Sequence, residues 1–239
     1  MDKIGLLEEI LKKLNISIEE DQKLKFDKYC SLLLEKNKVM NLTRITDEEE
    51  IITKHLADSL MISKVVEMDK VENLIDVGTG AGFPGIPIKI IWPNIKVTLL
   101  DSLDKRVGFL KEVIDELELG NIEAIHERAE DLGQDDNYRE QFDLCVSRAV
   151  ANLSTLSEYC IPFVKEHGLF ASYKAEDSDE EINEAKAAID ILGGDIEKIC
   201  IEMIPETDIN RKFVVVRKMR KTDPKYPRKA GKPSKKPLK

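Results

Sequence analysis

The chain has 239 residues, 42% of them hydrophobic and 35% charged, with a formal net charge of −9. That length holds one substantial core with an appendage, and the composition is that of a globular protein and not of a disordered or membrane one; charges interrupt every apolar run short of the roughly 20 residues a membrane span needs, so no membrane span is expected. The total hides an asymmetry, because eleven Lys or Arg and one acid, Asp223, fall between Arg217 and Lys239, which leaves 26 cations against 45 acids, a net −19, for the residues before them.

The first stretch reads as helices. Ile4, Leu7, Leu11 and Leu14 recur at helical spacing among charges that include Asp2 and Lys3. A signal peptide's uncharged middle is missing, and a cytoplasmic protein is expected. Ser17 with Glu20 forms a capping-box pattern that opens a second helix carrying Leu24, Tyr29, Leu32 and Leu33. Thr46 with Glu49 repeats the signal, and the third helix presents Ile52, Leu56 and Leu60 on one face with His55 and Asp58 beside it. Residues 1–66 are therefore read as an N-terminal helical extension.

From Asn73 the texture becomes short apolar runs alternating with amphipathic segments, the signature of βαβ units. Strands are predicted at Leu74 to Val77, Val97 to Leu100, Ile122 to Ile125, Phe142 to Ser147 and Leu169 to Tyr173. Two closing strands, Lys198 to Met203 and Phe213 to Val216, leave no room for a helix between them and should pair antiparallel at the sheet edge. This gives an α/β domain over residues 67–217. Residues 218–239 hold Pro224, Pro227, Pro233 and Pro237 among lysines and read as a basic, flexible tail, either a solubilising terminus or a phosphate-contacting arm. Cys30, Cys145, Cys160 and Cys200 lack a CxxC spacing, so neither a metal site nor a disulfide framework is expected.

The sharpest motif is Asp76-Val77-Gly78-Thr79-Gly80-Ala81-Gly82, directly after a strand and before a helix. Gly80 to Gly85 also satisfies GxGxxG, a weak pointer to dinucleotides. The acid-x-Gly-x-Gly-x-Gly reading is favoured, because Phe83 takes the place of the third glycine counted from the strand end. That pattern suits S-adenosylmethionine, which needs donors for a carboxylate, an acceptor for an ammonium and an acid for the ribose. Asp101, nineteen residues beyond Gly82, suits the ribose or caps the next helix. Asp76 can orient the loop or meet the ammonium. Ala129-Glu130-Asp131 follows the third strand and either serves the adenine or is a solvated turn. Arg148, at the end of the fourth strand, faces the ligand edge or makes a salt bridge to an acid such as Asp76 or Glu130.

Absences narrow the acceptor. No Asp/Asn-Pro-Pro-aromatic motif follows the fourth strand, as amino-group methylation of adenine usually requires, and no Pro-Cys supplies a thiolate for pyrimidine C5. Guanine N7 needs neither, since its lone pair is unprotonated at neutral pH and no general base is required. The three histidines, His55, His126 and His167, form no sequence cluster.

The blocks Asn41-Leu42-Thr43, His55-Leu56-Ala57-Asp58-Ser59-Leu60 and Asp76 through Gly85 are followed in order by Asp101-Ser102 with Lys105-Arg106, Arg128-Ala129-Glu130, Ser147-Arg148-Ala149 and Tyr173-Lys174. Together they resemble the RsmG (GidB) family of 16S rRNA guanine-N7 methyltransferases over nearly the whole chain. The resemblance implies a Rossmann-like S-adenosylmethionine-dependent methyltransferase fold, with a mostly parallel seven-stranded sheet, an antiparallel edge strand and the helical extension. It implies methylation of one guanine, at position 527 in the 530 loop of 16S rRNA, presented as rRNA or in an assembling small subunit. Gly78, Phe83, Ala129, Glu130 and Arg148 would contact the cofactor, beside Asp76, Gly80 and Asp101 from the motif reading. Asn41, His55, Asp58 and Lys174 would lie on the RNA side. A monomer without metal is expected. The rivals are a non-catalytic RNA-binding protein, a methyltransferase of another RNA guanine, and a nicotinamide oxidoreductase, for which no acid/base constellation is apparent.

Overall fold

The computed structural model describes residues 3–148 and 150–239. Met1 and Asp2, which the sequence reading takes into the first helix, and Ala149 of the Ser147-Arg148-Ala149 block lie outside the described residues. Seven strands, β1 (Asn73–Val77), β2 (Lys96–Asp101), β3 (Ile122–His126), β4 (Phe142–Arg148), β5 (Val164–Lys174), β6 (Gly194–Met203) and β7 (Asn210–Lys218), form one sheet in the order β3-β2-β1-β4-β5-β7-β6. β1 to β5 run parallel, and β7 lies antiparallel between β5 and β6. The chain order reverses between β1 and β4. Ligands of such sheets sit at that switch point, outside the carboxyl ends of the strands.

Period-two alternation divides the strand residues between two cores. Leu74, Leu144 and Val215 face the layer formed by the helices Lys3–Lys13, Glu20–Met40, Gly85–Ile91 and Asp104–Glu116. Ile75, Cys145 and Val216 face the opposite layer, with the helices Leu153–Cys160 and Asp179–Ile191. The N-terminal helices thus share the first core. Tyr29 and Phe26, both fully buried, pack in it, and Gln22 Nε2 donates to the Ile90 carbonyl at 2.8 Å.

Helix starts differ from expectation by a residue or two. The second helix is capped by Glu19 with Gln22, instead of Ser17 with Glu20, and the third by Asp47, whose Oδ1 accepts from the Glu50 amide at 2.9 Å. Both are Asx- or Glx-type caps next to the expected Ser or Thr. A carboxylate meets the positive end of a helix better than a hydroxyl does. The strands β5 and β6 begin earlier than their apolar runs, because after the buried Val164 and Gly194 they pass through exposed polar residues such as Lys165, Glu166, Asp195 and Glu197.

Residues 218–239 depart most from the sequence reading. They were expected as a flexible tail and are instead laid along the body. Arg228 forms a two-point bridge to Glu158, a fully buried carboxylate, with Nε–Oε1 at 2.8 Å and Nη2–Oε2 at 2.6 Å. Arg139 donates to the carbonyls of Tyr226 and Thr222 at 2.7 and 2.8 Å, and Pro227 meets the face of Gly133. Lys218, also buried, donates to the Ile161 carbonyl and to Thr222 Oγ1. The physical reason is pairing: acids and carbonyls that take these donors lie about 30 to 90 positions away in sequence, where a local charge count cannot see them.

Candidate functional site

The turn after β1 is built by its own backbone. Gly78, Gly80 and Gly82 have φ of +72°, +64° and +106°, and the amides of Gly78 and Thr79 donate to the Leu100 carbonyl at 2.8 and 3.1 Å. Glycine holds such values without the Cβ clash that other residues meet there. Asp76 is fully buried beneath this turn, and its Oδ2 accepts from Thr79 Oγ1 at 2.6 Å and from the Gly85 amide at 2.8 Å. Its Oδ1 has no hydrogen-bond partner among the described residues. Burial lifts its pKa to about 7, against the pull of those two donors. Asp76 therefore orients the loop, and it does not line the cleft above it.

Asp101 ends β2 and is 3% exposed. One oxygen accepts from the Gly80 amide at 2.9 Å and the other from the Leu103 amide at 2.9 Å, with Arg106 at 3.4 Å. The carboxylate is thus fixed at the floor of a cleft between the ends of β1, β2 and β3. Gly78, Asp101, Ala129 and Glu130 line that cleft together with Val150 and Tyr159, and it holds about 450 Å3 counting its open mouth. Tyr159 and Val150 were not found by sequence reasoning. They come from beyond β4, and no local motif marks them.

Gly80, Phe83 and Arg148 do not line this cleft. Gly80 faces open space, with nothing within 4 Å of where a Cβ would stand. Phe83 is 5% exposed and stacks on His55, with ring centroids 4.5 Å apart and 15° between planes. Arg148 lies 5.2 Å from the centroid of the same ring. Its Nη1 donates to Asp58 Oδ2 at 2.7 Å and to the Lys54 carbonyl at 3.1 Å, and its Nη2 lies 3.1 Å from His55 Nδ1. The salt bridge anticipated for Arg148 exists, but the acid is Asp58 in the N-terminal extension.

This second cluster rests on a π-helical turn, Ile52–Ala57, between the short helices Glu48–Ile51 and Asp58–Leu60. Such turns widen a helix by one residue and recur at functional sites. Arg211 Nε, from β7, takes Asp58 Oδ1 at 2.6 Å, and its Nη1 donates to the Lys174 carbonyl at 3.2 Å. Lys174 Nζ in turn donates to Glu181 at 2.6 Å and to the Ala151 carbonyl at 2.8 Å. Burial first, and then Arg148, lower the His55 pKa to about 4, so the ring is neutral near pH 7. With Arg148 donating to Nδ1, the tautomer assigned is the one whose Nε2–H donates to Thr43 Oγ1, 2.8 Å away. His55, Asp58 and Lys174 therefore join one network with Arg148. Asn41 does not; it closes the second helix at φ +50° with an exposed side chain.

The residues of the cleft fit S-adenosylmethionine. Apolar walls at Leu100 and Val150 suit a purine and the fixed Asp101 carboxylate suits ribose hydroxyls, while beside the cleft the left-handed Gly80 leaves a space that a side chain would fill.

Residues 22–208 match the family model GidB, described as rRNA small subunit methyltransferase G. The ribosomal RNA small subunit methyltransferase G of Desulforamulus reducens is 50% identical over 232 residues, covering 97% of each chain. That of Acetivibrio thermocellus is 52% identical over 223 residues, covering 93% of this chain and 91% of its own. Among solved structures, Pyrococcus horikoshii TYW2 in complex with MeSAdo superposes with a TM-score of 0.53 at 16% identity, covering 68% of this chain and 62% of that one. The Methanococcus jannaschii fibrillarin pre-rRNA processing protein gives 0.52 at 19%, covering 65% and 70%. At such identities the likeness speaks for the fold.

Proposed function

We propose, from the premise that this chain belongs to the rRNA small subunit methyltransferase G family, that it transfers a methyl group from S-adenosylmethionine to N7 of one guanine in the 530 loop of 16S rRNA. The observation that carries the reading is the Asp101 carboxylate, held by the Gly80 and Leu103 amides at the mouth of the glycine turn and facing Ala129 and Glu130 across the cleft. Bound there, the cofactor would supply an electrophilic methyl on a sulfonium.

The chain's residues then have three tasks. Asp101 would hold the ribose, Ala129 and Glu130 the adenine edge, and Gly78 and Gly80 would let the methionine part approach the backbone. No residue need remove a proton, because guanine N7 carries a free lone pair. His55 fits that absence of base chemistry, since its ring is locked between Arg148 and Thr43 and stacked on Phe83. The His55, Asp58, Arg148 and Lys174 network would instead shape the RNA side, and Asn41 would meet RNA as an exposed residue.

A protein with this substrate works in the cytoplasm. Among the described residues no helix is long and apolar enough to cross a membrane. The test is transfer of labelled methyl from S-adenosylmethionine to 16S rRNA or small subunits from cells that lack the enzyme, followed by mapping of 7-methylguanosine. Label at a single guanine of the 530 loop is expected. Label at another nucleotide, or none on either substrate, overturns the assignment.

A further inference from the structure

The cations between Arg217 and Lys239 divide into two sets by what they touch. Arg217, Lys218, Arg220, Lys225 and Arg228 pair with Glu197, Glu140, Asp190, Asp223 and Glu158. Lys221, Lys229, Lys232, Lys235, Lys236 and Lys239 are exposed and, among the described residues, have neither an ion pair nor a side-chain hydrogen bond. Five of these six fall within residues 229–239.

That same stretch is fastened to the body from its inner side. Pro233 is buried, its carbonyl accepts from Thr155 Oγ1 at 3.3 Å, and the Gly231 amide donates to Glu130 Oε1 at 2.8 Å. Glu130 lines the cofactor cleft. The lysines are therefore a fixed group at the rim of that cleft. Five like charges held together raise the local positive potential, and among the described residues no acid pairs with them, so the group favours an anionic partner.

We propose that residues 229–239 form a docked ledge that takes the phosphate backbone of the RNA substrate beside the cofactor cleft, through Lys229, Lys232, Lys235 and Lys236. The inference rests on the reading of this protein as an RNA methyltransferase. An ammonium is a point charge without the planar fork that reads base edges, so these contacts position the strand and leave the choice of guanine to the cleft. A ledge already ordered by Arg228, Pro233 and Gly231 also loses less freedom on binding than a free arm would. The rest of the chain, at net −14 once the five lysines of residues 229–239 are taken from the total of −9, repels RNA, which makes the ledge the place of first contact.

The experiment uses the full chain with Lys229, Lys232, Lys235 and Lys236 all changed to Gln. A control carries the same loss of charge elsewhere, with exposed Lys96, Lys111, Lys186 and Lys198 changed to Gln. Binding to unmethylated 16S rRNA and to an oligo(U) strand is followed against salt, with cofactor affinity and melting temperature measured in parallel. The ledge variant is expected to flatten the log–log salt slope by about two to three units on the oligo(U) strand and to weaken low-salt binding by at least about tenfold. Its cofactor affinity and melting temperature should match wild type, and the control should keep its slope. A ledge variant with the wild-type slope, or a control that flattens as much, overturns the ledge. Wild-type protein that binds through these lysines yet leaves the rRNA unmethylated overturns the functional reading alone.

Discussion

Arg148, at the carboxyl end of β4, donates to Oδ2 of Asp58 at 2.7 Å and so ties the glycine-loop edge of the sheet to the N-terminal extension. Arg211 takes the other oxygen at 2.6 Å, and the carboxylate is fully buried. One acid thus serves as counter-charge to two cations, one through each oxygen. Asp58→Asn leaves both guanidiniums without a counter-charge and is expected to cost about 3–5 kcal/mol. Arg148→Ala leaves Asp58 still paired with Arg211 and should cost roughly half as much. Thermal melts of the two variants decide this, and equal losses would contradict a shared carboxylate.

Two buried groups titrate with opposite sign. His55 has a lowered pKa, about 4, so below its unfolded value of about 6.5 the unfolded state binds more protons, and the stability it contributes is lost as the pH falls toward 4. Asp76 has a raised pKa, about 7, so its contribution is complete below about 3.8 and is lost as the pH rises toward 7. Each slope is at most about 1.4 kcal/mol per pH unit, and in wild type they largely cancel between pH 4 and 6.5. His55→Gln should expose a stability that falls with pH, and Asp76→Asn one that rises with pH. Urea unfolding across pH 4 to 7 measures both, and a variant pair with parallel curves rules the account out.

The glycines of the turn differ in what replaces them. A Cβ at Gly78 would stand 2.4 Å from Val150 Cγ2, whereas at Gly80 nothing lies within 4 Å. Gly78→Val should therefore abolish cofactor binding through both crowding and positive φ. Gly80→Ala should cost about 1 kcal/mol of stability from φ alone. If the space at Gly80 belongs to the cofactor, its affinity also falls by about tenfold or more. Calorimetry with S-adenosylmethionine and a melt, run on the same samples, separate the two losses.

Glu158 has no exposure, and Arg228 and its own amide are the groups that satisfy it. Arg228→Ala is expected to destabilise the protein by about 3–5 kcal/mol, since it strands a buried carboxylate. Undocking would also release Gly231 from Glu130, so truncation before residue 219 should weaken cofactor binding by several-fold. Unchanged cofactor affinity in a truncated protein that melts cooperatively would show that the segment is no part of the cleft.

What was legible in the sequence was what is local. Five strands showed through their apolar runs, and the two closing strands through the lack of room between them. Gly78, Asp101, Ala129 and Glu130 could be placed in one cleft, because the fold brings successive strand ends to one edge. The Arg148 to Asp58 contact spans 90 positions, and Arg228 to Glu158 spans 70. No periodicity encodes such distances. The tail's prolines and lysines read locally as a free arm because its partners, Glu158, Arg139 and Glu130, belong to elements about 70 to 100 positions away.

The π-helical turn Ile52–Ala57 sets the phase of everything that follows it in the extension. A π-turn is an α-helix with one residue added, and each residue of an α-helix advances the chain by about 100°. Removing one residue within this turn would restore regular winding while keeping every motif on either side intact. Asp58 would then swing about a quarter-turn from Arg148 and Arg211, and His55 would leave the face of Phe83. In this chain, the spacing between Thr43 and Asp58 is a mechanical dimension, and a relative with one residue fewer there would need a different partner for its arginines.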